Sequence, residues 1–197
     1  YLLDCFNALG DHIGQFFKRK EFEEQLIHLA THDALTNLFN RRRFHEELES
    51  RLAYSRRYCA YGALLFIDLD HFKQVNDAYG HQAGDELLVN VTAVLKQRLR
   101  KTDILARLGG DEFAALLCQV DGKQAEVIAK QMIEIISQKG KFTQGHLTDV
   151  TASIGIALFP AHSNEAQSLL ACADQAMYLA KEKGRNCFCF YQSSTQN

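Results

Sequence analysis

The sequence predicts an α+β fold: a ferredoxin-like core in which a central antiparallel sheet is flanked by helices, preceded by one long N-terminal helix. Three observations lead there. Short apolar runs alternate with longer stretches of helical period, in the order β-α-β-β-α-β with helical additions. Gly109-Gly110 stands between two of the apolar runs, a strong two-residue hairpin signal. Residues 2 to about 30 carry apolar spacing of three and four with no glycine-proline punctuation at their end. On this plan the helices lie on one side of the sheet.

In the N-terminal helix, Phe6, Leu9, Ile13 and Phe16 follow one apolar stripe, and Phe22, Leu26 and Leu29 another. Lys18-Arg19-Lys20-Glu21 intervenes, and the seam jumps six residues where a heptad needs seven. The pattern suits either a coiled coil or an amphipathic helix packed on its own domain. Residues 32–41 form a turn, and Asn40 is placed to cap a helix of about Arg41 to Arg57, with Phe44, Leu48 and Leu52 on one face. A buried strand, Ala63 to Leu69, follows. Leu87, Leu88, Val91, Leu95 and Leu99 mark a helix of about Gly84 to Arg100. Ile104 to Leu108 and Phe113 to Cys118 are the hairpin strands. A helix over about Lys123 to Gln138, a strand over Val150 to Leu158 stopped by Pro160, a helix over Ala166 to Lys183 and a last strand, Cys187 to Tyr191, complete the chain.

Composition bounds the function. The 197 residues suffice for one compact domain and an appendage, and 47% hydrophobic residues can fill a core. A net charge of −2 gives no electrostatic case for a nucleic-acid polymer. No apolar run nears the ~20 residues of a membrane span, and no secretory pattern opens the chain. A cytoplasmic domain is expected, and the start at Tyr1 suggests a piece of a longer protein whose upstream part could carry a membrane anchor or a sensor. Cys5, Cys59, Cys118, Cys172, Cys187 and Cys189 include no Cys-x-x-Cys pair and read as free, buried thiols of a reducing cytosol. Cys187 and Cys189 share one strand face, but no second pair accompanies them to hold a metal.

Chemistry concentrates in Arg107-Leu108-Gly109-Gly110-Asp111-Glu112-Phe113. Glycine allows positive φ and leaves room for a triphosphate near the backbone. Asp111 and Glu112 offer the hard oxygens that Mg²⁺ prefers. An isolated Gly-Gly-Asp-Glu could equally be a hairpin with a solvated acidic tip. Asp68 and Asp70 fall at the end of the first strand, on one side of it, and would adjoin the hairpin if the two strands are neighbours. Lys181 and Arg185 stand four apart near a helix end, where basic residues also complement the dipole.

Further blocks surround the hairpin: Asp68-Leu69-Asp70-His71-Phe72-Lys73-Gln74-Val75-Asn76-Asp77, then Gly84-Asp85, Ser153-Ile154-Gly155-Ile156-Ala157, and Ala180-Lys181-Glu182-Lys183-Gly184-Arg185-Asn186. Together, from about Asp33 to Tyr191, they resemble the GGDEF family of bacterial diguanylate cyclases, in the family's motif order. The resemblance implies a nucleotidyl-cyclase, palm-like version of the predicted core. It implies domains at 1–32 (helical linker), 33–191 (catalytic domain) and 192–197 (tail), with the linker a dimerising signalling helix below an upstream sensor.

The reaction it implies is condensation of two GTP into cyclic di-GMP with release of two pyrophosphates, by a homodimer. The implied ligands of Mg²⁺ or Mn²⁺ are Asp68, the carbonyl of Leu69, Asp111 and Glu112. Asp111, Glu112 and Asp68 would be catalytic, Glu112 also serving as a candidate proton acceptor. His71, Phe72, Lys73, Gly109, Gly110, Lys181 and Arg185 would hold the triphosphate, and Asn76 and Asp85 would read guanine. Arg100 and Asp103, with five residues between Asp103 and Gly109, match an inhibitory product site for cyclic di-GMP. A catalytically weak module that only binds GTP or cyclic di-GMP is the alternative, although such relatives usually lose the acidic pair or the glycines, and both are present here.

Overall fold

The computed structural model describes residues 2–139, 142–143, 146–147 and 149–192, with side chains described from residue 15 to 138 and from 149 onward. The chain runs α1 (Leu2–Thr31), α2 (Arg41–Tyr58), β1 (Gly62–Asp70), α3 (Phe72–Tyr79), α4 (His81–Arg98), β2 (Ile104–Gly109), β3 (Glu112–Cys118), α5 (Gly122–Lys139), β4 (Phe142–Thr143), β5 (His146–Leu147), β6 (Thr151–Phe159), α6 (Ala166–Glu182) and β7 (Phe188–Phe190).

β1 is buried along its whole length because it lies at the centre of a five-stranded sheet, ordered β2-β3-β1-β6-β7. Its two neighbours are antiparallel to it, as is β2 to β3; only β7 runs parallel, beside β6. This is the predicted ferredoxin-like core with one added parallel edge strand. The helices, however, cover both faces rather than one. Leu65, Ile67 and Leu69 of β1 enter a core with Val75, Leu87, Leu88, Val91, Met132 and Ile136 of α3, α4 and α5. Leu64 and Phe66 enter a second core with Phe44, Leu48 and Leu52 of α2 and Leu169, Ala173 and Met177 of α6. The uninterrupted apolar run Ala63–Ile67 follows from burial on both sides, since a half-solvated strand would alternate. Each fully buried Leu, Ile or Phe contributes about 1.5–3 kcal/mol of transfer free energy, so the two layers hold the sheet jointly.

Asn40 caps α2 as expected, its side-chain oxygen accepting from the Arg43 amide at 3.0 Å. The predicted helix from Gly84 instead begins at His81, and a separate short helix, α3, precedes it. His71 at φ 64° turns the chain out of β1, and Gly80 at φ 83° divides the helices. The two then pack so closely that a Cβ on Gly84 would lie 2.0 Å from Asn76 Oδ1. The β4–β5 ribbon was not anticipated.

Residues 15–30 of α1 are exposed throughout, including Phe16, Phe22, Leu26 and Leu29. Along its described side chains the helix therefore does not pack on its own domain; those of Phe6, Leu9 and Ile13 lie outside the described residues. Among the described residues it is tied down at its end, where the Asn40 amide donates to the Thr31 carbonyl at 3.0 Å and the His28 and His32 rings stack at 4.0 Å. No described helix is long and apolar enough to cross a membrane. Cys59, Cys118, Cys172, Cys187 and Cys189 are free; Cys59 is exposed at the left-handed end of α2, so not every thiol is buried.

Candidate active site

The Gly-Gly hairpin forms, one residue out of the expected frame. β2 extends through Gly109, which faces Glu112, and Gly110-Asp111 make the turn. The register shifts between Arg107 and Gly109, and Gly109 at φ 145° with Gly110 at φ 50° supplies a backbone path that side chains resist. Space is not the constraint, because a Cβ on either glycine would meet nothing within 4 Å.

Pairing of β1 with β3 sets Asp68 opposite Glu112, on one face of the sheet. The Leu69 amide also donates to the Asp111 carbonyl at 3.2 Å, fastening the tip to the end of β1. Like charges directly opposite on a sheet repel, and each here has its own cation. Lys181 Nζ lies 2.8 Å from Asp68 Oδ2, and Arg41 Nη2 donates to Glu112 Oε2 at 3.1 Å. Burial, followed by the negative charges of Asp111 and Asp70, pushes the Asp68 carboxyl above its usual value against the pull of Lys181.

Asp68, Leu69, Asp70, His71, Phe72, Lys73, Asp111, Lys181 and Arg185 line one cavity of about 400 Å³, a volume typical of small-ligand sites. A larger cavity of about 920 Å³ lies between α2 and the start of α6, lined by residues of mixed charge that include His45, Glu49 and Arg56. Volume alone does not mark the site; converging carboxylates and cations do.

The remaining predicted residues are distributed around this centre. Glu112 is not in the cavity wall but turned toward Arg41. Asn76 and Asp85 stand at the α3–α4 contact beside Gly84, outside that wall. Arg100 and Asp103 lie elsewhere, with His32, Lys96 and Lys101 around a cavity of about 310 Å³. There the Asp103 carboxylate accepts the amides of Arg100 at 2.9 Å and Cys118 at 3.3 Å.

Among the described residues no three His, Cys, Asp or Glu side chains converge closely enough to hold a metal ion. Asp68 and Asp111 nonetheless bring hard oxygens to one cavity beside the Leu69 backbone, a donor set that fits Mg²⁺ or Mn²⁺ and not a softer ion.

Two arginines were missed as site residues. Arg107 donates through Nε and Nη2 to the Gly110 carbonyl at 2.9 and 2.8 Å, and through Nη1 to Asp33 at 3.0 and 3.2 Å. It thus joins the turn after α1 to the glycine tip. Arg41, read only as the residue where the turn passes into a helix, reaches both Glu112 and, at 2.9 Å, the Leu108 carbonyl. An arginine two residues before the first glycine was the available signal for the first; nothing local marked the second.

Comparison with known proteins agrees with this geometry. The family described as "Diguanylate cyclase, GGDEF domain" matches residues 30–187. The bifunctional diguanylate cyclase/cyclic di-GMP phosphodiesterase MucR of Pseudomonas aeruginosa is 44% identical over 170 residues, covering 86% of this chain and 25% of the relative. Diguanylate cyclase TpbB of the same species is 41% identical over 182 residues, covering 91% of this chain and 42% of its own length. The chain thus spans less than half of these curated relatives. The crystal structure of the TpbB GGDEF domain superposes with a TM-score of 0.77 at 39% identity, covering 81% of this chain and 99% of that one. The coiled coil and GGDEF domain of DgcB from Caulobacter crescentus, in complex with c-di-GMP, gives a TM-score of 0.83 at 30% identity, covering 93% and 97%. With the palm-like sheet, the glycine tip and the carboxylate–cation cavity in the family's motif order, the chain belongs to the GGDEF family of diguanylate cyclases.

Proposed function

We propose that this chain condenses two molecules of GTP into cyclic di-GMP and two pyrophosphates. The observation that carries the reading is the single cavity in which Asp68 and Asp111 face Lys73, Lys181 and Arg185 beside a glycine tip. Lys73, Lys181 and Arg185 neutralise a triphosphate, and the tip lets its oxygens approach the backbone. Asn76 and Asp85 recognise guanine, because a carboxylate that accepts from its N1 and N2 groups finds no such donor pair on adenine. Mismatched buried polar groups cost about 1–3 kcal/mol each, enough for useful selectivity.

In each half-reaction a ribose 3′-oxygen forms a bond to the α-phosphorus of the other GTP. The bond from that phosphorus to the bridging α–β oxygen breaks, and pyrophosphate leaves. Glu112, once released from Arg41, accepts the hydroxyl proton. Asp68, Leu69, Asp111 and Glu112 would hold Mg²⁺ or Mn²⁺, which when bound lowers the hydroxyl pKa and offsets developing charge. Two copies face one another so that each delivers its hydroxyl by the same geometry. Arg100 and Asp103 take the product cyclic di-GMP and restrain turnover, and the upstream portion of the full-length protein supplies the signal.

Incubation with GTP and Mg²⁺, with the product identified by mass spectrometry, tests the proposal. Cyclic di-GMP and two equivalents of pyrophosphate are expected. Tight GTP binding with no product would favour the non-catalytic module instead.

A further inference from the structure

Asp70 is the most completely satisfied charged group near the cavity, and the reaction as written does not use it. Its side chain is fully buried. Oδ1 accepts from Ser153 Oγ at 2.7 Å, and Oδ2 accepts from Thr151 Oγ1 at 2.7 Å and from the Asn186 amide at 3.1 Å. Arg185 Nε adds a long contact at 3.9 Å. Two of these partners sit on the neighbouring strand β6 and the other two in the turn that follows α6.

That turn is conformationally demanding. The Arg185 amide donates to the Ala180 carbonyl and the Gly184 amide to Lys181, a Schellman closure with Gly184 at the left-handed position. Arg185 and Asn186 then also take positive φ, 63° and 49°, after 108° at Gly184. Only the first of the three is glycine. Consecutive left-handed residues with side chains persist where surrounding contacts over-determine them. The Asn186 amide, drawn onto a buried carboxylate fixed by two hydroxyls, is such a contact. Lys181 precedes the turn by one helical turn and Arg185 lies within it, so its shape sets where both cations stand.

We propose that Asp70 is a positioning residue: it anchors the left-handed turn at residues 184–186 and thereby aims Lys181 and Arg185 at the polyphosphate of the substrate, while Asp68, two residues before it, serves the reacting groups. The proposal rests on reading the cavity as a GTP site. It divides two aspartates that share one sheet face into an anchor whose hydrogen bonds all come from neutral donors and a carboxylate partnered by Lys181. It also explains why hydroxyl residues interrupt the apolar β6 at Thr151 and Ser153, which face Asp70 and Asp68 in register.

The test compares Asp70→Ala, Asp70→Asn, Ser153→Ala and Thr151→Val by GTP kinetics and by calorimetric binding of inorganic tripolyphosphate without metal. Loss of the anchoring hydrogen bonds in Asp70→Ala should raise KM for GTP and weaken tripolyphosphate binding by about tenfold or more, with kcat at saturation within about threefold. Asp70→Asn keeps an acceptor of the same shape and should rescue both to within about threefold of wild type. Ser153→Ala and Thr151→Val, which loosen the carboxylate from the far side, should fall between them and decide the matter if Asp70→Ala does not fold. Asparagine and alanine variants that both lose kcat by orders of magnitude, with tripolyphosphate binding intact, would overturn the proposal and place Asp70 among the reacting groups. Unchanged tripolyphosphate binding in Asp70→Ala, or in both hydroxyl variants should it not fold, would overturn it too. A wild type that binds tripolyphosphate in an Asp70-dependent way yet makes no cyclic di-GMP would leave the anchor standing and remove the GTP reading.

Discussion

At the scale of single residues, the acidic pair at the tip contributes little to stability. Asp111 and Glu112 are only half-buried, and the ion pair of Glu112 with the largely exposed Arg41 is of a kind worth at most about 1 kcal/mol. Replacing either by alanine should leave thermal unfolding nearly unchanged while cyclic di-GMP formation falls by orders of magnitude; near-normal synthesis in the double variant would contradict their role. Asp33 behaves oppositely. Burial alone would push its carboxyl up, but the Thr36 hydroxyl and amide and the Arg107 guanidinium outweigh burial and hold it below the usual value. A depressed carboxyl stabilises the fold fully above its unfolded value of about 3.8, and that contribution is lost as pH falls through the lower folded value. Asp33→Asn should therefore cost about 1–3 kcal/mol at neutral pH. The gap to wild type should close as denaturation curves are taken below pH ~4; a gap independent of pH would show that charge is not involved. If Arg100 holds the product as proposed, Arg100→Ala removes a charge-assisted contact worth roughly 1.5–3 kcal/mol. Titration of the variant should show cyclic di-GMP bound at least about tenfold more weakly, with initial turnover unchanged or raised.

Elements matter here through how closely they approach. β6 and α6 touch at Gly155, where a Cβ would lie 1.9 Å from the Ala173 carbonyl oxygen and 2.2 Å from the Met177 amide nitrogen. Those neighbours are backbone and cannot swing aside. Gly155→Ala should thus cost at least about 1–3 kcal/mol and displace α6, whose last turn carries Lys181. Calorimetry should show the lowered melting temperature, and GTP kinetics a raised KM; an alanine variant as stable as wild type would mean that the helix can retreat. The hairpin is placed by similar means. Arg107 clamps the Gly110 carbonyl from one side, and Leu69 holds the Asp111 carbonyl from the other.

For the whole molecule, the telling feature is a 30-residue helix whose apolar stripe faces no part of its own domain over the described side chains. Phe16, Phe22, Leu26 and Leu29 stay exposed at 63–66%, while the domain below closes its two cores without them. Removing residues 1–30 should leave the melting temperature of the domain nearly unchanged. If the helix pairs two copies, the same deletion should shift the rise of specific activity with protein concentration to higher concentration. Sedimentation run alongside the rates checks this, and activity per molecule that stays constant down to verified monomer would exclude an obligatory dimer.

Periodicity and turn signals by themselves determined the β-α-β-β-α-β order, the N-cap at Asn40 and the glycine hairpin, because each is a local pattern of apolar period or turn residue; the roster of candidate carboxylates and cations came from the resemblance to the GGDEF family. Tertiary structure alone decided the rest. That helices cover both faces depends on which side of β1 each helix packs, and the run Ala63–Ile67 is apolar to either side. That Asp70 is an anchor and Asp68 is not depends on Thr151, Ser153 and Asn186, which arrive from 81 to 116 residues away. The parts of Arg41 and Arg107 likewise rest on partners 71 and 74 residues distant. Local sequence encodes what a residue can do, and the chain's long-range closures select which of two identical side chains does it.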